Sequence, residues 1–293
     1  MKPQRYGPFN YVPINKRPNL KWPDGKRIAF WVIPNIESFA LDEKMPAGPG
    51  GSGGSIPDVH TWSIREYGCR IGVFRLMEVL AKHGVRGTVA LNSEICRYYP
   101  EIIEEGNKLG WEWMGHNQSN TRRLNVIPPE EERAVVKATF DEIEQGTGTR
   151  PRGWLGSGLQ ETWNTLDYLV ENGATYVADW QCDDQPFMMD VGGKPLVSVP
   201  YSTEINDKPQ FEAHHRTAQE FADMICRQFD VLYRESAESG RVMAISLHPY
   251  VTGRPHRIDA LDAAIGYICR HDDVWRTTGS EIADAFLASG ATF

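Results

Sequence analysis

Hydrophobic positions in this chain fall into short runs, and several runs end on a polar residue able to do chemistry. Arg27-Ile28-Ala29-Phe30-Trp31-Val32-Ile33-Pro34 leads into Asn35-Ile36-Glu37. Trp111-Glu112-Trp113-Met114-Gly115 stops at His116 and opens the polar segment Asn117-Gln118-Ser119-Asn120. Val242-Met243-Ala244-Ile245-Ser246-Leu247 stops at His248-Pro249. Continuous apolar runs of this length predict strands buried on both faces. Ile71, Val73, Phe74, Met77, Val79 and Leu80 carry helical spacing over 71–83, and a strand follows over 85–91. The alternation continues with helix 100–109, strand 111–115, helix 129–145, strand 153–156, helix 162–171 and strand 175–179. Strands 196–201 and 242–247 flank an amphipathic helix over 218–234. Helix 258–269, strand 274–277 and a last helix from Gly279 complete the pattern. Repeated strand-then-helix units imply a parallel sheet. No linker divides the chain after residue 60, so the expected fold is a single α/β domain over 25–293, a closed or nearly closed barrel.

Two segments stand outside the alternation. Residues 1–24 are rich in Pro, Asn and Lys, with Tyr6, Phe9, Tyr11 and Trp22 interleaved, and read as an extended N-terminal arm wrapping the domain or a neighbouring subunit. Residues 44–60 hold the Gly/Pro-rich stretch Pro46-Ala47-Gly48-Pro49-Gly50-Gly51-Ser52-Gly53-Gly54-Ser55, with the composition of a flexible linker. Its place just past a strand end also suits an active-site lid. A hydrophobic content of 41% and a charged content of 24% are globular values. The net charge of -8 disfavours a nucleic-acid or anionic-membrane partner. No run is long enough to span a membrane, and the first residues lack a signal peptide's apolar stretch, so the expected location is cytoplasmic. The five cysteines form no CxxC pair, which suggests neither a zinc knuckle nor a disulfide framework.

In a parallel barrel the residues just past the strands share one rim. Here they include Asn35 and Glu37, Asn92 and Glu94, His116 and Asn120, Ser157, Asp179 and Trp180, Tyr201 and Glu204, and His248. Such oxygen and imidazole groups suit a metal site or acid/base hydrolysis. Glu37, His116 and Asn120 form a candidate metal set, although His and Cys normally dominate zinc sites; hydrogen-bonded His and Asn without an ion is the matching alternative. His248 reads as a general acid/base, with a buried structural histidine as the plainer account. Trp180 and Asp184 lie in a segment that suits the wall of a small polar pocket, or simply a turn capped by Asp. Glu66-Tyr67-Gly68 fits an ordinary helix cap as well as a pocket role, and His214-His215 reads as solvated surface.

These residues carry a resemblance. The segments Arg65-Glu66-Tyr67-Gly68-Cys69-Arg70-Ile71-Gly72-Val73, Ser198-Val199-Pro200-Tyr201-Ser202-Thr203-Glu204-Ile205-Asn206-Asp207 and Leu247-His248-Pro249-Tyr250-Val251-Thr252-Gly253-Arg254-Pro255 make the chain similar to the polysaccharide-deacetylase superfamily. Within it, the chain resembles the branch of metal-independent allantoinases and bacterial cyclic imide hydrolases, or imidases. The resemblance covers residues 22–286 and implies a distorted (β/α) barrel with its active site at the C-terminal rim. Typical members have two acids after the first strand, one a general base and one a metal ligand. Here they correspond to Asn35 and Glu37, and an asparagine is no general base. The second metal histidine corresponds to Asn120.

The resemblance with these departures implies a hydrolase opening a small cyclic amide or imide. Glu37 would activate water, directly or as ligand to a divalent metal, zinc first; a metal-free mechanism stands equally beside it. His116 with Asn120 would bind that ion or orient water and oxyanion, and His248 would protonate the leaving nitrogen. Asn35, Trp154, Trp180, Asp184 and Tyr201 are the expected substrate contacts. One alternative is a metal-dependent deacetylase of an N-acetylated sugar or polyamine. Another is a non-catalytic binding protein for a small ligand. A homo-oligomer, dimer or tetramer, is also implied.

Overall fold

The computed structural model describes residues 2–46 and 55–293. Residues 47–54 of the 44–60 segment expected as a lid therefore lie outside the described residues. The strands are β1 Ile28–Ile36, β2 Thr88–Leu91, β3 Glu112–Gly115, β4 Gly153–Trp154, β5 Tyr176–Val177, β6 Phe187–Val191, β7 Lys194–Ser198, β8 Arg241–Leu247 and β9 Val274–Arg276. They form one curled sheet in the order β6-β7-β5-β4-β3-β2-β1-β8, with β9 added against the start of β1. All pairings are parallel except β6 with β7, a hairpin turned by Gly192 and Gly193, both at positive φ.

β1 is buried along its whole length, as a central parallel strand should be. It pairs in register with β8 from Ile28↔Arg241 to Pro34↔Leu247, and with β2 at Asn35↔Ala90 and Ile36↔Leu91. Its side chains alternate between two cores. Ile28, Phe30 and Val32 join the apolar layer shared with the helices beside β1, whereas Ala29, Trp31 and Ile33 join the other cluster. The sheet ladder does not close between β7 and β8. Loops bridge that seam: the Val242 amide donates to the Asp184 carbonyl and the Ser246 amide to the Ile205 carbonyl, each at 2.9 Å.

The helices are α1 Val59–Tyr67, α2 Val73–Lys82, α3 Glu94–Tyr98, α4 Pro100–Lys108, α5 Glu132–Thr147, α6 Thr165–Glu171, α7 Asp207–Glu212, α8 Ala218–Glu235, α9 Pro249–Thr252, α10 Pro255–Cys269 and α11 Gly279–Ala288. A π-helical turn over Gly68–Gly72 joins α1 to α2. The helix expected over 71–83 thus begins earlier, and the Glu66-Tyr67-Gly68 segment lies within this run rather than at its start. Residues 2–24 run across the same chain: Phe9 packs edge-on against Trp180, Arg17 pairs with Asp183, and the Trp22 indole donates to the Arg241 carbonyl. Among the described residues no helix is long and apolar enough to cross a membrane.

Candidate active site

Three strand ends meet at a cavity of about 170 Å³ lined by Asn35, Glu37, His116, Asn120, Tyr201 and His248, together with Arg123, Lys208 and the turn after β4. Glu37 follows β1 directly. Its Oε1 lies 3.8 Å from His116 Nε2 and 3.7 Å from His248 Nε2, and it also accepts a hydrogen bond from Asn120 Nδ2. The carboxylate therefore sits between two imidazoles.

Each imidazole is held from behind. His116 closes β3, and its Nδ1 lies 2.5 Å from the Leu155 carbonyl, which can only accept. That contact puts the proton on Nδ1 and turns the Nε2 lone pair inward, where Nε2 is buried without a hydrogen-bond partner among the described residues. Asn117 follows at φ 61, a conformation Asn tolerates better than other side chains, and so turns the chain sharply after His116. The turn brings Asn120 back beside Glu37, with its own amide bonded to the Ser38 carbonyl at 3.0 Å.

His248 ends β8 and caps the short helix α9, where Pro249 occupies the first turn. The Asp207 carboxylate accepts from both the His248 backbone N–H and ring Nδ1, each at 2.7 Å, and from the Thr252 hydroxyl at 2.6 Å. Asp207 is fully buried, so these bonds replace its hydration and fix the imidazole with Nε2 toward Glu37. Asp207 was not singled out in the sequence. It lies 41 residues from His248, and the absence of any local spacing signal hides the pair.

Burial alone would raise the Glu37 carboxyl, but the neighbouring His248, His116 and Lys208 outweigh it. The result holds Glu37 well below the usual carboxylate range, so it is ionised at neutral pH. Cys69, whose thiol faces the Glu37 carbonyl at 3.8 Å, is pushed up to about 12 by burial and then by Glu66 and Glu37. That removes it as a nucleophile at neutral pH.

The expected metal ligands do not fit an ion as they stand. Asn120 Oδ1 accepts from Ser157 Oγ at 2.5 Å and from Asn92 Nδ2 at 3.3 Å, while its Nδ2 faces the Glu37 carboxylate. Flipping the amide would set oxygen against carboxylate, so this orientation stands on its partners. Its acceptor capacity is then committed, leaving Glu37 and His116 without Asn120 as a third ligand. Among the described residues no group of three or more His, Cys, Asp or Glu side chains is arranged to hold a metal ion.

The expected substrate contacts divide. Tyr201 and Asn35 line the cavity. Asn35 spends its amide N–H groups on Ser246 Oγ, the Leu247 carbonyl and the Ile33 carbonyl, so it ties β1 to β8. Tyr201 OH bonds Ser246 Oγ at 2.5 Å and accepts from Asn206 at 3.0 Å, extending the same network. Trp154, Trp180 and Asp184 are placed elsewhere. Trp154 is fully buried and stacked on Phe140 of α5, on the helix side of β4. Trp180 packs against Phe9 and donates to Glu161 at 3.2 Å. Asp184 lines a separate cavity with Val242 and Ala244 at the seam. The wall expected from these three is instead supplied by Leu155, Gly156, Gly158, Leu159 and Pro209, which have no polar signature in the sequence.

No family model matches the chain. A Schizosaccharomyces pombe protein assigned as a polysaccharide deacetylase is 26% identical over 307 residues, covering 94% of each chain. A probable polysaccharide deacetylase from Pseudomonas aeruginosa PAO1 has a structure matching at a TM-score of 0.83 and 28% identity, over 94% of this chain and 95% of its own. The structure of Puue allantoinase matches at a TM-score of 0.85 and 27% identity, over 92% of this chain and 94% of its own. The fold is thus a single-domain distorted (β/α) barrel of the polysaccharide-deacetylase type.

Proposed function

We propose, from the support these relatives give to a place in the polysaccharide-deacetylase superfamily, that the chain hydrolyses the C–N bond of a small cyclic amide or imide. The observation that carries the reading is a cavity of about 170 Å³ in which an ionised carboxylate faces two back-braced imidazoles, with an amide where a third metal ligand would stand. The cavity suits a small ring. The likeness to Puue allantoinase, whose name denotes hydrolysis of a cyclic amide, supports the same choice.

Water binds between Glu37 and His116 Nε2, donating one hydrogen to each, and its oxygen attacks the ring carbonyl carbon. His248, braced by Asp207, carries the proton that the leaving ring nitrogen takes up as the C–N bond breaks. Glu37 is a weak base at the start because its proton affinity is low. His248 is the largest of the influences that lower it, so transfer of the His248 proton to the leaving nitrogen strengthens Glu37 as acceptor. Proton donation and proton uptake therefore assist one another. The product is a ring-opened carboxylate bearing a free amide or amine.

The test is hydrolysis of succinimide, maleimide, hydantoin, dihydrouracil and allantoin, with metal content measured on the same protein. Ring opening is expected, with Glu37→Gln lowering kcat about 10³-fold, within the usual worth of a positioned proton acceptor. Failure of every ring overturns the reading. A second reading rests on the names of the two deacetylase relatives: release of acetate from an N-acetylated sugar. That reading calls for added divalent metal to raise acetate release, with no ring opened.

A further inference from the structure

Two cations open onto the same cavity as Glu37. Arg123 stands on the segment between β3 and α5, and Lys208 on the first turn of α7, one residue after Asp207. Neither side chain makes a hydrogen bond or ion pair with another described residue, and Arg123 Nε is buried without a partner among them. The guanidinium lies close against Gly158: a Cβ there would come within 2.7 Å of Nη1. Gly158 also holds φ +67, so a glycine at this point serves both the turn and the close approach of Arg123. Glu212 feels the charge of Lys208 but does not pair with it, and Glu37 feels it as well.

Charge makes the case. The whole chain carries a formal charge of -8, yet among the described residues lining this cavity Arg123 and Lys208 stand against Glu37 as the sole carboxylate. The lining is therefore positive before either imidazole is protonated. Two half-buried cations without partners are costly unless something negative answers them. A neutral ring carbonyl needs one donor, whereas a guanidinium and an ammonium together suit a carboxylate.

We propose that Arg123 and Lys208 form an anion subsite, and that the substrate is a small cyclic amide bearing a carboxylate on its ring. This rests on the ring-hydrolysis reading for the word cyclic, but not for the anion. The same pair is placed to hold the carboxylate that ring opening creates, against repulsion from Glu37.

Binding separates the two ideas. Calorimetry compares succinamate with succinamide, which share size and differ by one charge. Succinamate should bind about ten-fold more tightly, a usual margin for a charge-assisted contact. Arg123→Met and Lys208→Met should each lower that ratio, and Arg123→Lys should restore part of it. Kinetics then compare dihydroorotate with dihydrouracil, the same ring with and without a carboxylate. The carboxylated ring should show the higher kcat/KM, chiefly through KM, with the margin shrinking in both Met variants. Equal binding of succinamate and succinamide, or a ratio unmoved by both substitutions, overturns the subsite. If the binding ratio holds and no ring opens, the subsite stands and the ring chemistry fails.

Discussion

At the scale of single residues, the site depends on how His248 is held. Its ring reaches Glu37 because one buried carboxylate grips both its backbone and its Nδ1. Asp207→Asn keeps the volume but loses the charge and permits the wrong tautomer. The expected outcome is a fall in kcat of about 10³-fold with a smaller change in KM, together with a displaced acid limb in the pH profile. A variant that keeps the wild-type profile would reduce Asp207 to packing. Glu37, His116 and His248 were legible because each ends an apolar run, and strand ends converge in this class of fold. Their supports were not legible. Asp207 and the Leu155 carbonyl act through long-range approach, which leaves no periodic trace in the chain. The Trp154 indole misled for a related reason: strand parity decides which face a residue takes, and β4 is only two residues long.

At the scale of elements, the turn at Gly68–Gly72 sets the height of the site. A Cβ on Gly72 would fall 2.1 Å from the Pro249 carbonyl oxygen, and one on Gly253 would fall 2.4 Å from the same atom. The π-helical widening, seen in the bond from the Val73 amide to the Gly68 carbonyl, thus packs directly under the segment that carries His248. Gly72→Ala should cost about 2 kcal/mol in a denaturant melt, as overpacking against backbone usually does. It should also lower kcat about ten-fold by shifting His248, if His248 is the proton donor proposed above, since small misplacements of such a group are costly. A melt unchanged by the substitution would contradict this account. Helical spacing over 71–83 revealed the second half of this run but not the first, because Val59–Tyr67 has a weaker apolar stripe. The hairpin of β6 and β7 escaped for a different reason. Its Gly192-Gly193 turn is a recognised signal, but the antiparallel pair interrupts an otherwise parallel alternation.

At the scale of the whole molecule, a pair of carboxyls outside the lining of the Glu37 cavity, Asp179 and Glu161, links stability to pH. Burial, then the charge of Glu161, pushes Asp179 well above the usual range, and burial raises Glu161 to about 7. The folded protein keeps the Glu161 proton up to about 7, whereas the unfolded chain releases it near 4.5, so stability declines as pH rises through that interval. Melting temperature should fall by an amount on the order of 5 °C between those limits, and Glu161→Gln should flatten the slope. An unchanged slope would show that the pair does not govern the trend. The barrel itself was legible from alternation alone, since parallel strands with intervening helices have few ways to pack. The seam was not, because loop-to-strand bonds at Asp184 and Ile205 carry no sequence pattern. The pairing of β1 with β8 also governs how the molecule comes into being. Its partners are roughly 200 residues apart, among the most distant contacts a chain of this size can make. A nascent chain emerging from the ribosome displays the apolar β1 strand long before its neighbour exists. Until then Glu37 has no His248, and the growing polypeptide must shelter an unpartnered edge, so assembly of the site and protection from aggregation arrive in the same late step.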